Sequence, residues 1–193
     1  MQNNMTIRIL LLSMLTAVGP ISFGQAPVPS DGPSQKDWTI KAAKMFLQLP
    51  NDQWFLANRS DTGFIQYVFK RNAIKDTQGH AIVPAIMLYV DDAAPYKGDI
   101  VAYSTNKRAL FSGRNLETQK TLIPSNKDFP LAYKNSIEFI ASYSSKGLEH
   151  ILYMVYIITR ENKGIQLYMD MTKEIAGKYG QEFLSTLHSI REL

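Results

Sequence analysis

The stretch YMVYIITRENKGIQLYMDMT (residues 153–172) decides the fold. Taken with the two residues before it, its first half places Tyr153, Val155 and Ile157 on one face of a strand and Leu152, Met154, Tyr156 and Ile158 on the other. Both alternate sets are apolar, so the strand is expected inside a sheet that is covered on both sides. A polar turn, RENKG (residues 160–164), then leads into Ile165, Leu167, Met169 and Met171 alternating with Gln166, Tyr168, Asp170 and Thr172. That alternation predicts a second strand whose polar face is less buried.

Working outward, the segment after Thr172 reads as a helix. Thr172 stands where a capping residue belongs, Glu174 sits near the positive end of the helix dipole, and Ile175, Tyr179, Phe183 and Leu187 form one stripe to bury on the sheet. Upstream, NSIEFIASYSS (residues 135–145) is a third strand, stopped by KGLEH. Asp99 precedes IVAYSTNKRAL, in which Ile100, Tyr103, Lys107 and Leu110 share a helical face. KTLI (residues 120–123) offers one short strand in an otherwise turn-rich segment.

GFIQYVFKR and AIVPAIMLYV, separated by the polar turn KDTQGH, form a hairpin, with Pro84 marking a strand start, an edge or a bulge. WTIKAAKMFLQLPNDQW (residues 38–54) is ambiguous: Trp38, Ala42, Met45 and Leu49 recur at helical spacing, while MFLQL reads as a short strand halted by Pro50. The second half is taken as strand. Consecutive hairpins with helices packed on them give an antiparallel sheet and an α+β class.

The 193 residues, 45% of them hydrophobic and 20% charged, suit one domain with a substantial core. The first two dozen residues are expected to stand apart from it. Arg8 is followed by the apolar run ILLLSMLTAV and then Gly19 and Pro20, the pattern of a secretory leader (residues 1–24). Its apolar segment is about ten residues long against the roughly twenty of a spanning helix, so no transmembrane segment is expected in the mature chain. Ser22 and Gly24 place cleavage before Gln25. QAPVPSDGPSQKD (residues 25–37) is then a flexible Pro- and Ser-rich tether, and residues 38–193 the domain.

Cysteine is absent, which excludes a disulfide scaffold, a thiolate nucleophile and a lipid-modified cysteine. The net charge of +4 is spread out, with no dense Lys/Arg block to track phosphates, so nucleic acid is not an expected partner.

MFLQLPNDQW, a strand ending in Leu-Pro and then Trp, and the block FIASYSSKGLEHILYMVYIITRENKGIQLYMDMTKEIAGKYGQEFLSTLHSI resemble the PsbP, Mog1 and DcrB-like superfamily. The resemblance covers most of the chain after Trp38. It implies an α/β/α sandwich around an antiparallel sheet of about six strands. It also implies a non-catalytic domain that works by binding partners: members serve as extrinsic photosystem subunits, as a partner of a nuclear-transport GTPase, or as envelope proteins. KDTQGHAIVPAIMLYVDDA is longer than the matching hairpin of that family, and no functional residue is carried over.

Candidate chemistry is sparse. His80, His150 and His188 show no ligand spacing, and His80 reads as a solvated turn residue. Asp91, Asp92 and Asp99 lack the tight alternation and turning glycine of a calcium loop. Ser144 or Ser145 with His150 and Asp170 nominally makes a hydrolase trio, but no G-x-S-x-G elbow surrounds either serine. Glu149 and Asp170 as a glycosidase pair have no framing sugar-stacking motif. Tyr133, Tyr143, Tyr153, Tyr156 and Tyr168 cluster in the second half and are expected half-buried, with wet hydroxyls. The weak ligand- or partner-binding candidates are therefore His150, Tyr153, Tyr156 and Tyr168, with no cofactor and no metal. The expected function is recognition of another envelope or secreted protein by a periplasmic or secreted domain. The alternative is a small-molecule carrier or minor hydrolase with a pocket between the sheet and the C-terminal helix, lined by His150.

Overall fold

The computed structural model describes residues 36–113 and 115–193. The expected leader, and the tether through residue 35, lie outside the described residues. Lys36 and Asp37, placed with the tether on composition, belong to the domain: Asp37 opens strand β1 (Asp37–Ile40) and its Oδ1 accepts a hydrogen bond from Gln48 Nε2 at 2.7 Å.

β1 pairs antiparallel with β2 (Met45–Gln48), and a 3-10 turn (Lys41–Ala43) joins them. The helical spacing of Trp38, Ala42 and Met45 is therefore coincidental. Trp38 and Ile40, two apart, both point into the core.

Seven strands form the main sheet in the order β3 (Trp54–Ser60), β4 (Ile65–Arg71), β7 (Ala85–Asp92), β11 (Lys163–Thr172), β10 (Leu148–Ile158), β9 (Ser136–Ser145), β8 (Glu117–Leu122), and every neighbouring pair is antiparallel. The expected hairpin of β4 and β7 is present, with Ile65 opposite Val90 and Lys70 opposite Ala85. Pro84 sits just before β7, where its missing N–H costs no ladder bond. A small ladder of β5 (Ile74–Lys75) and β6 (Ala81–Ile82) interrupts the connection. β3 was not expected from the sequence, and it brings the sheet to one strand more than the expected six.

Among the described residues, two α-helices sit on opposite faces. Helix α1 (Ile100–Arg108) begins at Asp99, whose Oδ1 accepts the Ala102 N–H at 2.9 Å, and it packs against β9 and β10, with Tyr103 edge-on to Tyr156. Helix α2 (Lys173–Ser189) buries Ile175, Phe183 and Leu187 on the other face beside β1, β2 and the short β12 (Arg191–Glu192). Thr172 occupies the N-cap position of α2, yet its buried hydroxyl bonds nothing; Glu174 instead accepts the Thr77 N–H at 2.6 Å. α2 is tied down at its middle by Glu182, which accepts from Arg71 Nε (3.0 Å), Trp54 Nε1 (2.6 Å) and Asn51 Nδ2 (3.1 Å). Burial works to raise the Glu182 pKa, and these three donors outweigh it and hold the carboxyl below its usual range. Among the described residues no helix is long and apolar enough to cross a membrane.

β11, not β10, is the middle strand. Its even-numbered face, expected to be less buried, is covered: Gln166 and Tyr168 are fully buried beneath α1 and the turn that follows it. Gln166 and Tyr168 are both bonded there. Tyr168 donates to Gln166 Oε1 (2.7 Å), Gln166 Nε2 donates to Asp91 Oδ2 (3.0 Å), Tyr103 donates to Asp91 Oδ1 (2.8 Å), and Lys107 pairs with Asp91. Close approach of α1 requires Gly164, since a Cβ there would overlap both the Tyr103 ring and the Asp91 carboxylate.

Gly164→Ala is therefore expected to cost about 1–3 kcal/mol of overpacking, read as a lowered denaturant midpoint. An unchanged midpoint would show that α1 does not seat closely on β11.

Candidate functional site

The candidate site lies where β9, β10 and β11 end together. His150 and Tyr143 face each other across the β9–β10 ladder, and His150 faces Thr172 across β10–β11. Asp170, two residues earlier on β11, reaches the same spot: its Oδ1 is 3.1 Å from His150 Nδ1, and its Oδ2 accepts the Tyr143 hydroxyl at 3.0 Å. The imidazole stacks on the Tyr143 ring, with centroids 4.8 Å apart at 25°. Both carboxylate oxygens are thus occupied, and the ring is fixed through one edge and one face. His150 Nε2 has no hydrogen bond among the described residues, and about 10% of the His150 side chain is accessible. Chemically this is one held imidazole edge, able to donate or accept a single hydrogen bond.

The other three candidates fall elsewhere. Tyr156 and Tyr168 share the sheet face of His150 but are wholly inside, in a cluster with Tyr103 and Phe139 whose centroids lie 6.0–6.2 Å apart. Burial drives the phenol pKa of each far above its usual value, so both stay neutral. The expectation of wet hydroxyls does not hold for them; they hold the core together. Tyr153 is on the opposite face, edge-on to Phe183 of α2 at 5.8 Å. The His150 side chain is therefore on the sheet face away from α2, and the pocket expected between sheet and C-terminal helix is not lined by it.

Of the weaker constellations, Ser144 pairs with Glu149, one residue out of phase with the Tyr143–His150 pair, so its side chain leaves the face away from His150. Glu149 is exposed and paired with Lys173 at 2.8 Å. Asp91, Asp92 and Asp99 do not converge: the first holds Tyr103, the second accepts the Ala94 N–H at 3.1 Å and the third caps α1. His80 is exposed in its turn, with Nδ1 2.9 Å from Asp76. Among the described residues no three His, Cys, Asp or Glu side chains are grouped to hold a metal ion.

Sequence reading missed Glu138. It sits in mid-strand on β9 at 1% exposure, and neither carboxylate oxygen has a hydrogen-bond partner. Burial pushes its pKa up to about 7, opposed by the charge of Lys120. The one available signal was a lone acid inside the apolar run SIEFIA.

No family model matches this chain, and no curated protein matches it. Among solved structures it is similar to a suggested regulator of unknown function from Pseudomonas aeruginosa, at 12% identity and a TM-score of 0.51, with 81% of this chain and 96% of that chain covered. A Bacteroides thetaiotaomicron structure aligns at 10% identity and a TM-score of 0.46 over 82% of this chain, which spans about half, 48%, of that one. The first likeness supports the α+β fold and nothing finer.

Asp170→Ala leaves the His150 and Tyr143 polar groups without their shared acceptor. The expected loss is about 1–3 kcal/mol in chemical denaturation; a loss within a few tenths of zero would mean the cluster is not formed in solution.

Proposed function

We propose that this chain is a non-catalytic recognition domain of the PsbP/Mog1-like kind, exported by its leader, that acts in the periplasm or outside the cell by binding another envelope or secreted protein. The carrying observation is the Tyr143–Asp170–His150 cluster. Three adjacent strands of one sheet position it, and Asp170 spends both oxygens on holding its neighbours. What it offers outward is a single oriented imidazole edge backed by an aromatic ring. A rigid, partly desolvated polar point of that kind suits an interface anchor, because little side-chain freedom is lost when a partner docks. The helices on opposite faces of an antiparallel sheet are in keeping with the sandwich that the sequence resemblance implies.

The test is affinity capture with the mature chain from Gln25 as bait against an envelope extract, run beside His150→Ala. A saturable protein partner whose retention falls at least tenfold with the variant is the expected result. Retention that is identical for both baits, or recovery of a small molecule alone, contradicts the reading.

A further inference from the structure

Glu138 is a carboxyl buried in the sheet with neither oxygen hydrogen-bonded among the described residues. On β9 it faces the α2 side, with Val155 of β10 and Leu122 of the terminal strand β8 as its cross-strand partners. Leu122 is buried in this corner of the molecule, and Leu131 and Tyr133, from the segment between β8 and β9, belong to the same core as Val155. An ionised carboxylate cannot stay there unpaired without a large desolvation cost, whereas a protonated one can.

The groups that act on it are few. From β8, Lys120 draws it toward ionisation, but Lys120 is half exposed and its ammonium is directed to Asp128 of the following segment at 3.7 Å. From β10, the Tyr153 hydroxyl lies near enough for the Glu138 charge to raise its pKa, after the larger effect of burial. α2 brings Phe183 and Gly180 against Tyr153, neither of which titrates. The Tyr133 phenol, also buried and without a partner, responds to Glu192 and not to Glu138.

The corner also lies at one edge of the sheet. β8 is the last strand, is bonded on one side only, and carries an irregularity between Thr118 and Lys120. Residues 123–135 form no helix or strand. Displacing this corner would let Lys120 or water reach the carboxylate.

We propose that Glu138 is a proton-operated latch: with its carboxyl protonated, β8 and residues 123–135 close over the α2 side of the sheet, and loss of the proton releases them. The direction follows from linkage. The closed form holds its proton up to about pH 7, whereas an open, solvated carboxyl releases it near 4.5. The latch is thus fully shut below the open-state value. Its opening constant rises about tenfold per pH unit between the two values and levels off above the closed-state value.

Native-state hydrogen exchange on the full mature chain, corrected for the intrinsic pH dependence of amide exchange, reads this directly. Amides of β8 and residues 123–135 are expected to exchange by an opening that is easier than global unfolding. That opening should grow about fortyfold from pH 5 to pH 7 and only about twofold beyond. In Glu138→Gln, which keeps the shape and cannot ionise, the same amides should show a flat profile. A pH-independent opening in the native chain, or a variant that keeps the native slope, overturns the latch. Should the variant fail to fold, the carboxyl 13C titration of Glu138 in the native chain decides: a midpoint well above 4.5 supports it, and an ordinary midpoint refutes it.

Discussion

Burying both faces of one strand forces the rest of this molecule. β11 lies in the middle of seven strands, and its odd positions, Ile165, Leu167, Met169 and Met171, are the kind of side chain that an interior accepts without condition. Its even positions are Gln166, Tyr168 and Asp170, which an interior accepts only when their polar atoms are bonded. One end of that stripe is satisfied by Asp91, which gathers Gln166, Tyr103 and Lys107 and so fixes where α1 lies. The other end is satisfied by Tyr143 and His150, which converge on Asp170. The candidate recognition site is thus the outer terminus of the same polar stripe that seats α1.

The two faces solve the same problem differently. On the α1 side, Asp91, Gln166, Tyr168 and Tyr103 form connected bonds while the Tyr156 hydroxyl is buried without a partner, and burial lifts the tyrosine pKa values, that of Tyr89 to about 12. On the α2 side the filling is mostly apolar, with one multiply bonded carboxylate, Glu182, anchoring the helix to β3 and β4. Glu138 is the exception on that side, a carboxyl with neither oxygen bonded beside an edge strand of the sheet. The two carboxyls therefore couple local structure to protons in opposite senses: Glu138 favours its folded surroundings while protonated, whereas Glu182, bonded three ways, favours them while ionised.

Much of the fold was legible in the residues because period-2 alternation survives packing. The doubly apolar run of β10 told that the sheet is covered twice, Asp99 marked the start of α1, and the stripe of α2 told which side it buries. β11 was read half correctly: alternation gave the strand, but Gln166 and Tyr168 look like solvent-facing residues until Asp91, 75 positions away from Gln166, is known to meet them. β3 escaped because WFLANRS carries a bulge between Leu56 and Asn58 and an exposed second half, which blurs its alternation. The link from His150 to Asp170 depends on strand register, which local sequence does not specify. Four candidate residues on neighbouring strands consequently divided between two faces.

The dependence of α1 on the polar stripe is tested most directly by a double-mutant cycle in chemical denaturation, pairing Tyr103→Phe on α1 with Asp91→Ala on β7. If Asp91 is the point through which the stripe holds the helix, the two losses are strongly non-additive, with a coupling of about 1 kcal/mol or more. Losses that add within about 0.3 kcal/mol would contradict the account and leave α1 seated by apolar contact alone.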